Sequence, residues 1–114
     1  MKILTANASF GENNNEELKI LQRTVSSTQN AAGYSRIVQL LDHFEHVGLH
    51  GVHICLILEV LGPSLTDVQQ FYMTQQQTIP AKVAKRFVRQ VLLGLDYLHR
   101  FCNIVHTGDL AIRV

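Results

Sequence analysis

Apolar residues recur along this chain at two periods, and the changes between them divide it into elements. Met1-Lys2-Ile3-Leu4 reads as the end of a strand, and Asn7 to Asn15, with Gly11 and three successive asparagines, as a turn-rich connection. A helix is predicted from near Asn15. Glu16 and Glu17 suit the positive end of its dipole, Leu18, Leu21 and Val25 recur at helical spacing beside Ile20, and the helix frays by Ser26-Ser27-Thr28. Thr28 to Ser35 reads as a loop. Ile37 to Phe44 then has the β-branched and apolar content of a strand, and Val52 to Leu61 that of a second. Gly48 and Gly51 between them supply the freedom a hairpin turn needs, so the two strands are expected to pair antiparallel. After Gly62-Pro63, Ser64 or Thr66 caps a short helix carrying Val68, Phe71 and Tyr72, and the polar run Thr74 to Thr78 interrupts it. Pro80 opens the strongest helix. At 100° per residue Val83, Phe87, Val88, Val91, Leu92, Leu95 and Leu98 fall on one predicted buried face, with Lys82, Lys85, Arg86, Arg89 and Arg100 opposite.

The element order, strand end, helix, two strands, helix, helix and loop, predicts an α+β fold with the strands segregated from the later helices. At 114 residues the chain is at most one small domain, and 46% apolar against 17% charged residues indicate a packed core. The net charge of +1 gives no global field toward nucleic acid or an anionic membrane, and neither is expected as a partner. Cys55 and Cys102 each adjoin or sit within apolar runs and read as reduced core thiols. The apolar part of Met1 to Ala6 is too short for a secretory signal, and no later run nears the ~18 residues of a membrane span. The expectation is an intracellular protein, cytoplasmic or nuclear.

Val38-Gln39-Leu40-Leu41-Asp42-His43-Phe44, Gly51-Val52-His53-Ile54-Cys55, Glu59-Val60-Leu61-Gly62, Gln90-Val91-Leu92-Leu93-Gly94-Leu95-Asp96-Tyr97-Leu98-His99 and Ile104-Val105-His106-Thr107 occur in that order. Together they resemble the SR-protein kinases, Ser/Thr kinases that phosphorylate arginine–serine-rich splicing proteins. The resemblance spans nearly the whole chain and implies a partial protein-kinase domain. Residues 1–61 would be the remainder of the N-lobe, with helix C, a β-hairpin and the hinge. Residues 62–114 would begin the C-lobe and run to the catalytic loop.

By this resemblance Lys2 is the strand-three lysine that holds the nucleotide phosphates, and Glu17 on helix C is its ion-pair partner. Leu58 takes the gatekeeper position. Glu59, Val60 and Leu61 resemble the hinge, whose main-chain groups bond the adenine edge. Asp109 is the candidate catalytic base. Here the loop departs from the family pattern: Gly108 is inserted after His106-Thr107, Ala111 stands where a phosphate-contacting lysine belongs, and Val114 where a Mg²⁺-binding asparagine belongs. An apolar valine cannot coordinate a hard cation. The family implies ATP and Mg²⁺ as cofactors and Arg-Ser-rich proteins as substrates. Residues 1–114 contain neither the Gly-rich phosphate loop nor an Asp-Phe-Gly segment, so they are expected not to catalyse alone, and to represent part of a longer kinase. The alternative is a non-catalytic, pseudokinase-type binding module or decoy. Against this alternative, the sheet left without its first strands has an unpaired edge, so aggregation or a partner is expected.

Two further groupings have simpler explanations. His43, His46, His50 and His53 lie close in sequence but on a predicted hairpin, where ordinary hydrogen bonding accounts for them better than zinc. The stripe Lys82, Lys85, Arg86 and Arg89 could meet phosphate or an acidic partner, but it is also the solvated face of an amphipathic helix. No metal ligands are assigned.

Overall fold

The computed structural model describes residues 1–6 and 15–105. Within them, strand β1 (Lys2–Ile3) is followed by helix α1 (Glu16–Ser26), a 3₁₀ turn (Tyr34–Arg36), strands β2 (Leu40–Gly48) and β3 (Gly51–Leu58), and helices α2 (Leu65–Thr74) and α3 (Ala81–Arg100). This is the expected α+β order. The strands form an antiparallel sheet in the order β1-β3-β2. Gly48 pairs with Gly51 across a two-residue turn, and Gly51 has φ of 119°, a conformation that glycine adopts without a Cβ clash.

The hairpin departs from its predicted limits at both ends. β2 starts at Leu40 rather than Ile37, and β3 ends at Leu58 rather than Leu61. Ile37 and Val38 are nevertheless extended and buried, because each enters a different core. Val38 joins Leu4, Leu18, Leu21, Ile54 and Leu56 between the sheet and α1. Ile37 joins Tyr97, Leu98 and Cys102 beside the C-terminal half of α3. Adjacent extended residues point to opposite sides, so one dipeptide serves both cores. Gln39 closes the start of the hairpin: its side-chain amide donates to the Tyr34 and Ile37 carbonyls. A bulge at Leu41 lets Leu40 face Leu58 while Asp42 faces Ile57, which leaves Leu41 exposed.

Local sequence accounts for the helix ends. Ser64 and Asp67 form a reciprocal capping box: the Asp67 N–H donates to Ser64 Oγ at 3.1 Å, and the Ser64 N–H donates to the Asp67 carboxylate at 2.8 Å. At the far end of α2, Gln76 has φ of 55°. The Gln77 N–H then reaches the Tyr72 carbonyl and the Gln76 N–H the Met73 carbonyl, the paired bonds of a Schellman stop with glutamine where glycine is usual.

The apolar face of α3 is only partly covered, contrary to the periodicity. Gly94, Tyr97 and Leu98 are buried, whereas Val88 and Leu92 are 57% and 59% exposed. They line an open apolar cleft with Ala81, Ala84 and Leu93. Helical spacing identifies a face that can be buried, and among the described residues only the C-terminal half of α3 meets a neighbour that buries it.

The junction between the cores is made by Tyr97. Its ring is fully buried, packed edge-on against Tyr34 and stacked with Phe101, and its hydroxyl donates to the Thr24 carbonyl of α1 at 2.7 Å. Gly33 lies directly on α3: a Cβ there would sit 2.0 Å from the Leu93 oxygen and 2.6 Å from the Tyr97 Cβ. Cys55 and Cys102 are free and buried, as their apolar settings implied.

Candidate functional site

β1 contributes little length but a defined direction. Lys2 pairs with Leu56 and Ile3 with Cys55, and the Leu4 N–H continues the ladder to the Ile54 carbonyl at 2.9 Å. Alternation places Lys2 and Leu4 on the same face as Ile54 and Leu56, the face covered by Leu18 and Leu21 of α1. The first turn of α1 therefore overhangs Lys2. Lys2 Nζ meets Glu17 Oε1 at 2.6 Å, with the two side chains 51% and 27% exposed. A pair this open contributes at most about 1 kcal/mol to stability. What it fixes is the aim of a flexible ammonium group along the rim of the sheet.

Two residues beyond Leu56, the partner of Lys2, Leu58 ends β3 half-buried against the sheet core and opposite Leu40. Glu59 leaves the strand and is tied to Gln39 twice: its N–H donates to the Gln39 carbonyl at 3.1 Å, and its carboxylate accepts from the Gln39 N–H at 3.1 Å. Beyond this clamp Val60 is almost fully exposed and Leu61 38% exposed. A Cβ added at Gly62 would meet nothing within 4 Å. The Leu61 N–H makes no backbone hydrogen bond among the described residues. The segment thus offers main-chain groups to solvent directly after a rigidly anchored strand.

The structure brings Lys2 and Glu17 together, and it places Leu58 at the same end of the sheet, two residues beyond Leu56, the partner of Lys2, with Glu59 and Leu61 following the strand. Asp109 lies outside the described residues, as do Gly108, Ala111 and Val114. The hairpin histidines are spread along the ladder: His46 faces His53, and His53 Nδ1 lies 2.9 Å from the Leu4 carbonyl. Among the described residues no group of three His, Cys, Asp or Glu side chains converges as a metal would require. No helix among them is long and apolar enough to cross a membrane.

The sequence reading did not single out the Tyr97 junction. Burial pushes the Tyr97 phenol up to about 12, with the adjacent Cys102 thiol adding to the effect. Tyr97 is adjacent to Leu98 but off the aliphatic stripe, and only the close approach of Gly33 reveals its role.

No protein-family model matches the chain. Among curated proteins it is 39% identical over 110 residues to the serine/threonine-protein kinase SKY1 of Saccharomyces cerevisiae, and 36% identical over 107 residues to the protein kinase dsk1 of Schizosaccharomyces pombe. It is 38% identical over 107 residues to SRSF protein kinase 3 of Homo sapiens. Each match takes in 94% of this chain but only 15%, 19% and 18% of the respective relative. The chain is therefore similar to a segment of these protein kinases. It spans less than a fifth of the length of each of these three.

Proposed function

We propose that residues 1–114 are the nucleotide-facing portion of an SR-protein-kinase-like enzyme, from the last part of the N-lobe to the catalytic loop. The observation that carries this reading is the Lys2–Glu17 pair at 2.6 Å. A lysine on the sheet and a glutamate on the overlying helix, the two residues indicated by the kinase resemblance, meet in space although 15 positions apart. In this reading Lys2 holds the α- and β-phosphates of ATP, Glu17 aims it, and Leu58 bounds the adenine pocket. The Glu59 carbonyl and Leu61 N–H meet the adenine edge. Backbone recognition at a clamped strand end tolerates varied side chains, which suits the exposed Val60 and Leu61.

The complete enzyme would transfer the γ-phosphoryl group of ATP to Ser/Thr of Arg-Ser-rich proteins, with Mg²⁺ neutralising the phosphates. In this reading Lys2 is the phosphate-directed cation and Glu59 to Leu61 the hinge, while Ala111 and Val114 stand where the phosphate-contacting lysine and the Mg²⁺-binding asparagine belong. The 114-residue chain is accordingly assigned nucleotide contact without turnover. Calorimetric titration with ADP tests this. Weak saturable binding is expected, lost with Leu61→Pro, which deletes the hinge N–H, and weakened about tenfold or more with Lys2→Met. Far-UV circular dichroism should be unchanged in both. Binding indifferent to both substitutions would refute the site, and phosphoryl transfer by the unaltered 114-residue chain would refute the assignment of these residues as non-catalytic.

A further inference from the structure

Arg36, from the 3₁₀ turn, and Arg86, from α3, line one pocket of about 410 Å³ together with Val83, Phe87 and Gln90. Neither Lys2, Glu17 nor a hinge residue is among those that line it. Among the described residues no carboxylate lies within ion-pair distance of either guanidinium, although the Arg100 guanidinium on the same helix is satisfied by Asp96. Two positive charges thus share one concavity with no counter-charge among the described residues.

The hydrogen bonding is incomplete as well. Arg36 Nε and Gln90 Oε1 are both shielded from solvent and have no partner. A buried donor such as the Arg36 Nε–H is costly to leave unmade, and the Gln90 amide, whose oxygen only accepts, donates to an occupant through Nε2 once flipped. Guanidinium groups present forked donors that match tetrahedral oxyanions, and a charge of two matches a phosphomonoester dianion. The apolar wall of Val83 and Phe87 excludes water on one side, which strengthens those bonds.

We propose that Arg36 and Arg86, with Gln90, form a binding site for a phosphate-class dianion between the 3₁₀ turn and α3. Only Arg86 comes from the basic stripe of α3. Its partner comes from another element, and this distinguishes a built pocket from a solvated helix face. The site is independent of the nucleotide assignment above.

The test is an NMR titration of the full chain at constant ionic strength with inorganic phosphate, phosphoserine and phenyl phosphate, following the Arg36 and Arg86 Nε–Hε resonances. Saturable shifts at both arginines are expected. Apparent affinity should fall about tenfold or more in Arg36→Gln and in Arg86→Gln, and less than about twofold in Arg89→Gln, which removes a charge from the same helix outside the pocket. Arg86→Lys, which keeps the charge but loses the fork, should fall in between. If Arg36→Gln disturbs the fold, the more exposed Arg86 pair of variants decides. Tighter binding of phenyl phosphate than of phosphoserine would identify an aryl ester stacking on Phe87, and the reverse an alkyl ester. An absence of saturable shifts, or Arg89→Gln weakening binding as much as Arg86→Gln, would overturn the proposal.

Discussion

Replacing Tyr97 by phenylalanine deletes a single hydroxyl at the junction of the two cores. The ring keeps its contacts with Tyr34 and Phe101, so the loss is confined to the 2.7 Å bond to the Thr24 carbonyl. The bond itself is worth about 1 kcal/mol, and a buried carbonyl deprived of its donor costs about 1–3 kcal/mol. A destabilisation of about 1–3 kcal/mol is expected for Tyr97→Phe, against about 3–5 kcal/mol for Tyr97→Ala, which also leaves a cavity. Urea unfolding followed by far-UV circular dichroism measures both. The phenol adds a pH signature. Its pKa is raised in the folded state from 10.0 to about 12, so folding favours the protonated form. That contribution is fully present below pH 10 and is lost as the pH rises from 10 through about 12. The stability gap between the unaltered chain and Tyr97→Phe should therefore narrow over that interval. A phenylalanine variant within about 0.5 kcal/mol of the parent, or a gap that does not change above pH 10, would refute the role assigned to this bond.

Two other substitutions probe local geometry. Gly33→Ala places a Cβ 2.0 Å from the Leu93 carbonyl oxygen, and because the obstacle is backbone, a loss of about 3 kcal/mol or more in urea unfolding is expected. Gln76→Gly relieves a non-glycine residue at φ of 55° in the Schellman stop of α2, and should raise stability by about 0.5–1 kcal/mol, seen as a melting temperature a few degrees higher.

Much of this architecture was legible in the residues themselves. The hairpin followed from Gly48 and Gly51 between apolar strands, and α1 and α3 from helical periodicity with Glu16-Glu17 and Pro80 at their starts. The meeting of Lys2 with Glu17 was implied by the family resemblance and not by either residue's local context, since a lysine near a chain start and a glutamate in a first turn are each unremarkable. The strand limits were misjudged at Ile37 and Val38 because β-branched burial and ladder pairing have the same composition signature. The uneven covering of α3 was also illegible: Val88 and Leu92 carry the same periodic signal as Leu98, and only tertiary contact tells them apart. Tyr97 and Gly33 matter through their mutual fit, 64 positions apart in the chain, which no window of sequence displays.

The same Tyr97 bond gives α1 two unlike polar anchors. Thr24 is tethered to α3, whereas Glu17, about 10 Å away along the axis, is held by an exposed ion pair. A tilt of about 10° about the tethered end would carry the glutamate carboxylate nearly 2 Å, enough to part it from Lys2, but it would also have to shift the buried Leu18 beside it. The two bonds thus differ in their sensitivity to solvent: the buried one to α3 is shielded, whereas the one that aims Lys2 is open to screening by salt.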